Sequence, residues 1–189
     1  MFRINLQRKI MRYQLSNIED ESLALFVDSD EQPIESKIEY VDRFQNKYPN
    51  LPDEVISQWF YDQRLSIHEN SWLPYGLLKF SLVELTSLEV SMPCFSENQT
   101  IDQYRIHFEN ENSSPRMCRL SEYISENLTW PVPPIVLENI DADIITPWGM
   151  ECDSPFHLLE GHHRFAVLLA YKSKIELKPT HKVWVAKIS

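Results

Sequence analysis

The chain has 189 residues, with 18 Lys and Arg against 28 Asp and Glu, a formal net charge of -10. At 43% hydrophobic and 12% aromatic residues it is too apolar to remain disordered, and its acid excess argues against broad binding to DNA, RNA or an anionic membrane. It holds 3 glycines where average usage gives roughly thirteen, so the GxGxxG and GxxxxGKS/T phosphate loops are excluded.

In chain order, residues 1–71 read as a mostly helical extension and 72–189 as an α+β unit. Residues 11–17 alternate like a strand, and 22–27 suit either strand or helix. Pro33 opens a helix in which Ile34, Ile38 and Val41 recur at i, i+4 and i+7. After the break at Tyr48-Pro49-Asn50-Leu51-Pro52, Asp53 is expected to N-cap a second helix. Val55/Trp59 and Ile56/Phe60 form its buried face, and the two helices are expected to pack as a hairpin. Residues 77–85 read as a strand. The polar stretch 96–115, with Asn98, Asn110, Asn112, Ser113 and Ser114, reads as a loop or irregular insertion.

Leu120, Tyr123 and Ile124 then mark a short helix with Ser121 near its start. Pro131-Val132-Pro133-Pro134 enforces an extended approach to a strand at 135–137. Residues 139–153 are acidic and turn-like, 156–159 a strand, 164–171 an apolar helix and 182–188 an alternating strand. Beyond the extension the order is strand, helix, strand, strand, helix, strand. No apolar run approaches the roughly 18 residues of a membrane span, and the N-terminus lacks a signal-peptide core. Cys94, Cys118 and Cys152 are odd in number and far apart, so the expectation is a cytoplasmic protein without disulfides or structural zinc.

Chemistry concentrates in Glu160-Gly161-His162-His163-Arg164-Phe165-Ala166. A strand ends at Glu160, Gly161 permits a tight turn, and a helix follows whose first turn carries free N–H groups and the positive end of the macrodipole. Two histidines add donors there, and an arginine adds a planar fork suited to phosphate. The competing reading is structural, with the histidines packing and Arg164 paired to Glu160. Charge is distributed to suit an anion: residues 1–75 hold 8 basic and 13 acidic side chains, net -5; residues 76–155 hold 4 and 13, net -9; residues 156–189 hold 6 and 2, net +4. Cys152, Asp153, His157, His162, His163 and His181 are weighed as metal ligands and read instead as structural residues, because His162 and His163 are adjacent on a helix. Trp130, Trp148 and Trp184 are read as core rather than base-stacking platforms.

The segment Glu160–Ala166 resembles the D/E-G-x-x-R box of the ParB/sulfiredoxin superfamily, above all the ParB-like nuclease-type domains that read DGHHR. Leu82-Val83-Glu84-Leu85, Leu120-Ser121-Glu122-Tyr123-Ile124, Pro133-Pro134-Ile135-Val136-Leu137 and Val183-Trp184-Val185 resemble that family's opening strand, helix, PPI-V strand and closing strand, in its order. The resemblance covers about residues 72–189. It implies a small mixed sheet flanked by helices and a box that cradles the phosphates of a nucleotide or nucleic-acid backbone, with Gly161, His162, His163 and Arg164 as contacts. His162 stands where sulfiredoxins carry their reactive cysteine, which removes that thiol chemistry. Partition-type ParB proteins carry a Glu-Arg-Arg box for CTP and a following DNA-reading domain, so centromere clamping is not expected. Members that phosphorylate free serine have a box closer to this one and a separate acidic base, a role open to Glu84 or Asp141.

Two functions follow as expectations. In the first, the turn holds ATP, ADP or CTP, or a phosphodiester, for phosphoryl transfer or hydrolysis. His162, His163 and Glu160 are then the catalytic candidates, Asp141 and Asp143 are weighed for magnesium and read as a solvated loop, and any magnesium comes with the nucleotide. In the second, a non-catalytic immunity protein or antitoxin uses an acidic face, formed by the N-terminal helices, against a basic toxin.

Overall fold

The computed structural model describes residues 25–26, 33–63, 69–110 and 113–189. The strand reading of 11–17 lies outside these residues, as does 22–27 apart from 25–26. The described residues form an α+β structure with six α-helices and a four-stranded mixed open sheet.

The first helix, α1 (Lys37–Lys47), starts after Ser36 rather than at Pro33. The Ser36 hydroxyl accepts from the Glu39 N–H, and the Glu39 carboxylate accepts from the Ser36 N–H. This reciprocal cap satisfies first-turn donors that Pro33 cannot reach. The shift changes the buried face: Tyr40, Val41 and Phe44 point inward, whereas Ile34 and Ile38 are 67% and 74% exposed. In α2 (Asp53–Ile56) the capping position belongs to Pro52 and Asp53 is the first helical residue. Its carboxylate accepts from the Gln45 side chain instead of from its own helix. A π-helical turn, Ser57–Tyr61, continues α2. Val55, Ile56, Trp59 and Phe60 are fully buried, and Phe44 stacks on Phe60 with ring centroids 4.8 Å apart, which joins the two helices as expected.

The sheet comprises β1 (Leu78–Thr86), β2 (Ile135–Glu138), β3 (Phe156–Glu160) and β4 (Thr180–Ile188), in the order β1-β4-β2-β3. β4 runs antiparallel to β1 and parallel to β2, and β2 runs antiparallel to β3. Successive side chains point to opposite faces of a strand, and helices cover both faces. Ile135, Leu137, Leu159 and Ala186 pack with α1 and α2. Val136, Leu158, Val183 and Val185 pack with the helices of the other layer. Double coverage explains why β2 is an unbroken apolar run, as strands buried on both faces are. One hydrophobic cluster thus joins helices of the segment 1–71 to strands of 72–189.

The segment 96–115 departs most from the sequence reading. It contains α3 (Pro93–Ser96) at its edge, then α4 (Gln99–Glu109), then the start of α5 (Pro115–Asn127). Two of its polar residues are helix starts: the Asn98 side chain accepts from the Thr100 and Ile101 N–H groups, and the Ser114 hydroxyl from the Met117 N–H. Pro115 occupies the first helical position, where its missing N–H costs nothing. Ser121, expected near a helix start, lies inside α5 and shares a 2.7 Å hydrogen bond with the Tyr171 hydroxyl. The last helix, α6 (His162–Tyr171), packs against α4 and α5, and its Phe165 lies 4.4 Å from Phe95 of α3 and 5.1 Å from Trp130, just beyond α5, between ring centroids.

Candidate functional site

The β3–α6 turn depends on a glycine for two reasons. Gly161 has φ +115, a backbone region that side chains disfavour, and a Cβ at this position would lie 2.5 Å from the Cβ of Pro134. Pro134 is itself held at the mouth of β2, its carbonyl accepting from the Trp184 N–H at 2.8 Å. The turn therefore presses on the proline-rich approach to β2. The first hydrogen bond of α6 runs from the Phe165 N–H to the Gly161 carbonyl at 3.0 Å. The N–H groups of His162, His163 and Arg164 precede it, and no side chain caps the helix.

A cavity of about 370 Å³ opens at this turn. It is lined by Leu159, Glu160, Gly161, His162 and His163, by Thr100 and Tyr104 of α4, by Arg116 of α5, and by Gln63 and Glu69. Four of the five candidate residues are thus brought together. The fifth, Arg164, is not.

Arg164 is 5% exposed. One guanidinium nitrogen pairs with the Glu160 carboxylate. Nη1 donates to the Gln58 side-chain oxygen at 3.1 Å, the Val132 carbonyl at 2.8 Å and the Pro133 carbonyl at 3.2 Å. Burial, and then the nearby Arg116 charge, lower this guanidinium to about 9, which leaves it cationic at neutral pH. Arg164 therefore clamps the π-helical turn and the proline-rich segment to the end of β3. It lines a separate hollow of about 190 Å³ with Gln58, Asp62 and Arg116.

Glu160, 7% exposed, lies between two cations: it pairs with Arg164, and the Arg116 guanidinium stands 3.8 Å from its other oxygen. Arg116 borders both hollows and is 45% exposed in its side chain. It was missed because it falls between the stretch read as a loop, 96–115, and the short helix marked by Leu120, Tyr123 and Ile124. The available signal was Ser114-Pro115, a helix-start pair that places Arg116 in the first turn of a helix.

His162 is lowered to about 4, mainly by burial and further by His157 and His163. His163 is lowered by burial and then by Arg116; its ring lies 4.1 Å from that of Tyr104. Both imidazoles are neutral at pH 7 and act as hydrogen-bonding groups rather than charges. The sign for stability follows. Between its ordinary value of 6.5 and about 4, the unfolded chain binds a proton that folded His162 does not. The His162 contribution is fully present above pH 6.5 and is lost, by about 3 kcal/mol, as pH falls from there to about 4. His162→Gln is expected to flatten that part of the acid limb in urea unfolding at stepped pH; parallel limbs for wild type and variant contradict it.

Among the described residues, no group of three or more His, Cys, Asp and Glu is placed to hold a metal ion. His181 is buried between the Ser87 and Thr129 hydroxyls, at 3.3 and 2.9 Å, and His157 lies 3.3 Å from the Asp153 carboxylate. All three cysteines are free thiols. Glu84 accepts from the Thr180 hydroxyl at 2.9 Å, and Asp141 and Asp143 line a different hollow, so none of the three lines the cavity at Gly161. Trp130 is buried as expected, but Trp148 is 62% exposed, against the core reading. No helix among the described residues is long and apolar enough to cross a membrane. No protein-family model, curated protein or solved structure matches the chain.

Proposed function

We propose that the cavity at the Gly161 turn binds a small phosphate-bearing ligand, with a nucleotide (ATP, ADP or CTP) as its class. One observation carries this reading: the uncapped N-terminus of α6 meets Arg116 and two neutral imidazoles in a single cavity of about 370 Å³. Helix N-termini bind anions through free N–H groups and the macrodipole, and small-ligand sites run from roughly 300 to 1,000 Å³. The resemblance to the ParB/sulfiredoxin superfamily, and to its small flanked sheet, supports the same ligand class.

The residues divide by role. N–H groups of the first turn of α6 donate to phosphate oxygens, and Arg116 supplies the formal positive charge. Arg164 and Glu160 hold the turn in shape, Arg164 from outside the cavity and Glu160 from within its lining. An anion in the cavity favours protonated imidazole, so bound phosphate raises His162 and His163 towards the range where general acid–base help is effective. A bound nucleotide brings its own phosphoryl chemistry, and any magnesium comes with its phosphates. The protein's part in phosphoryl transfer or phosphodiester hydrolysis is positioning and charge neutralisation.

Calorimetric titration with ATP, ADP and CTP, each with and without magnesium, tests this. Micromolar binding of at least one is expected, weakened at least tenfold by Arg116→Ala with little change in thermal midpoint. Absence of micromolar binding, or equal affinity in the variant, overturns it.

A further inference from the structure

We propose that residues 140–151 form a docking loop for a basic protein partner, with Trp148 entering an apolar pocket of the partner and Asp141 and Asp143 receiving its Lys or Arg side chains. This proposal is independent of the phosphate reading, because none of these residues lines the cavity at Gly161.

The loop exposes its apolar side chains in a group. Ile140, Trp148 and Met150 are 64%, 62% and 61% exposed, and Ile145 is 40% exposed. Single exposed apolar residues are ordinary, whereas four within one twelve-residue loop that also carries exposed carboxylates suit an interaction site. Residues 140–151 also carry Asp141, Asp143 and Glu151, all exposed, and no Lys or Arg.

The loop is held in shape from within. Asn139, 2% exposed, donates to the Cys152 and Asp153 carbonyls at 2.9 and 3.3 Å and accepts from the Asp143 and Ile144 N–H groups, both at 3.2 Å. Ile144 and Cys152 anchor the base in the core. At the tip, the Thr146 N–H donates to the Met150 carbonyl at 2.8 Å, and the Gly149 N–H to the Thr146 carbonyl at 2.9 Å. A side chain presented on such a frame loses little conformational freedom on binding, and tryptophan is a frequent energetic anchor of interfaces.

Charge selects the partner. A hollow of about 250 Å³ beside the loop is lined by Glu138, Asp141 and Asp143, and the chain's own Lys187 already reaches it, its ammonium 2.5 Å from the Glu138 carboxylate. A cationic side chain thus already sits among these carboxylates, the chemistry that a partner's Lys or Arg would repeat at Asp141 and Asp143. A second copy of this chain is disfavoured, since each carries net charge -10 and would present the same acidic loop.

The test is selection from a random peptide library displayed on phage, using the full chain as target and its Trp148→Ala variant for counter-selection. The expected outcome is enrichment of net-positive peptides containing an apolar residue. As synthetic peptides they should bind wild type at least tenfold more tightly than either Trp148→Ala or the Asp141→Asn/Asp143→Asn double variant, and bind less tightly at raised salt. Unchanged thermal midpoints would show the variants to be folded. Enrichment of neutral or acidic peptides, equal binding to the variants, or no enrichment overturns the proposal. So does sedimentation showing a wild-type dimer that Trp148→Ala dissociates, since a second copy would then cover the loop.

Discussion

Replacing Arg164 with alanine is expected to destabilise the fold by about 3–5 kcal/mol, the usual cost of removing one member of a buried ion pair. The reason lies in what remains. Glu160 would keep its carboxylate at 7% exposure, with only the more distant Arg116 to balance it, and the Val132 and Pro133 carbonyls would lose their shared donor. Urea unfolding measures the change. The double variant Glu160→Gln/Arg164→Met, which removes both charges while keeping volume, is expected to recover part of the loss. A loss below about 1 kcal/mol for Arg164→Ala would contradict the clamp and return the guanidinium to the list of ligand contacts. Because this variant perturbs the fold, Arg116→Ala is the sharper probe of ligand binding.

Trp59→Ala is expected to cost about 3–5 kcal/mol, as large-to-small changes of aromatic core residues do. Trp59 is fully buried; it stacks on Phe60 at 4.5 Å and meets the Tyr75 ring edge-on at 6.2 Å. Its indole N–H finds no hydrogen-bond partner among the described residues. Trp59→Phe should therefore be much milder, about 1–2 kcal/mol, since it leaves a smaller cavity and removes an unsatisfied donor. Calorimetric unfolding of the two variants separates these effects; equal losses would mean that the indole N–H has a partner. A large loss for alanine would also show that the N-terminal helices stabilise the sheet they cover.

Much of this architecture was legible in the sequence because strands and buried helix faces leave periodic marks. Leu78–Thr86, Ile135–Glu138, Phe156–Glu160 and Thr180–Ile188 fall on the predicted strands, and the pairs Val55/Trp59 and Ile56/Phe60 fall on the predicted buried face. Where reading failed, a capping residue was taken for something else. Asn98 and Ser114 look like loop residues in isolation, yet each satisfies backbone donors that begin a helix. The apolar spacing Ile101, Tyr104, Phe108 inside that stretch was available and went unused. Asp53 and Ser36 show the reverse error, where the acid that looked like a cap is not one and the serine passed over is.

The geometry of the candidate site was legible to a similar depth. The Gly161 turn and its helix were located from residue types alone, because a strand, a glycine and an apolar helix in succession leave few alternatives. The destination of Arg164 was not legible as between its two readings. Its partners Gln58, Val132 and Pro133 are distant in sequence, and only the folded chain shows that burial and the Glu160 pair claim the guanidinium. Arg116 was hidden for the same reason, since its place on the cavity wall depends on how α5 packs against α6.

The most direct measurement is a nitrogen-edited NMR titration of the full chain with ATP, ADP or CTP and magnesium. If the turn is an anion site, the amide signals of His162, His163 and Arg164 move first and saturably, and the His163 imidazole titrates at higher pH with ligand than without it. If those amides stay in place while nucleotide is added to millimolar concentration, or if shifts concentrate elsewhere, the Gly161 turn is not a phosphate site.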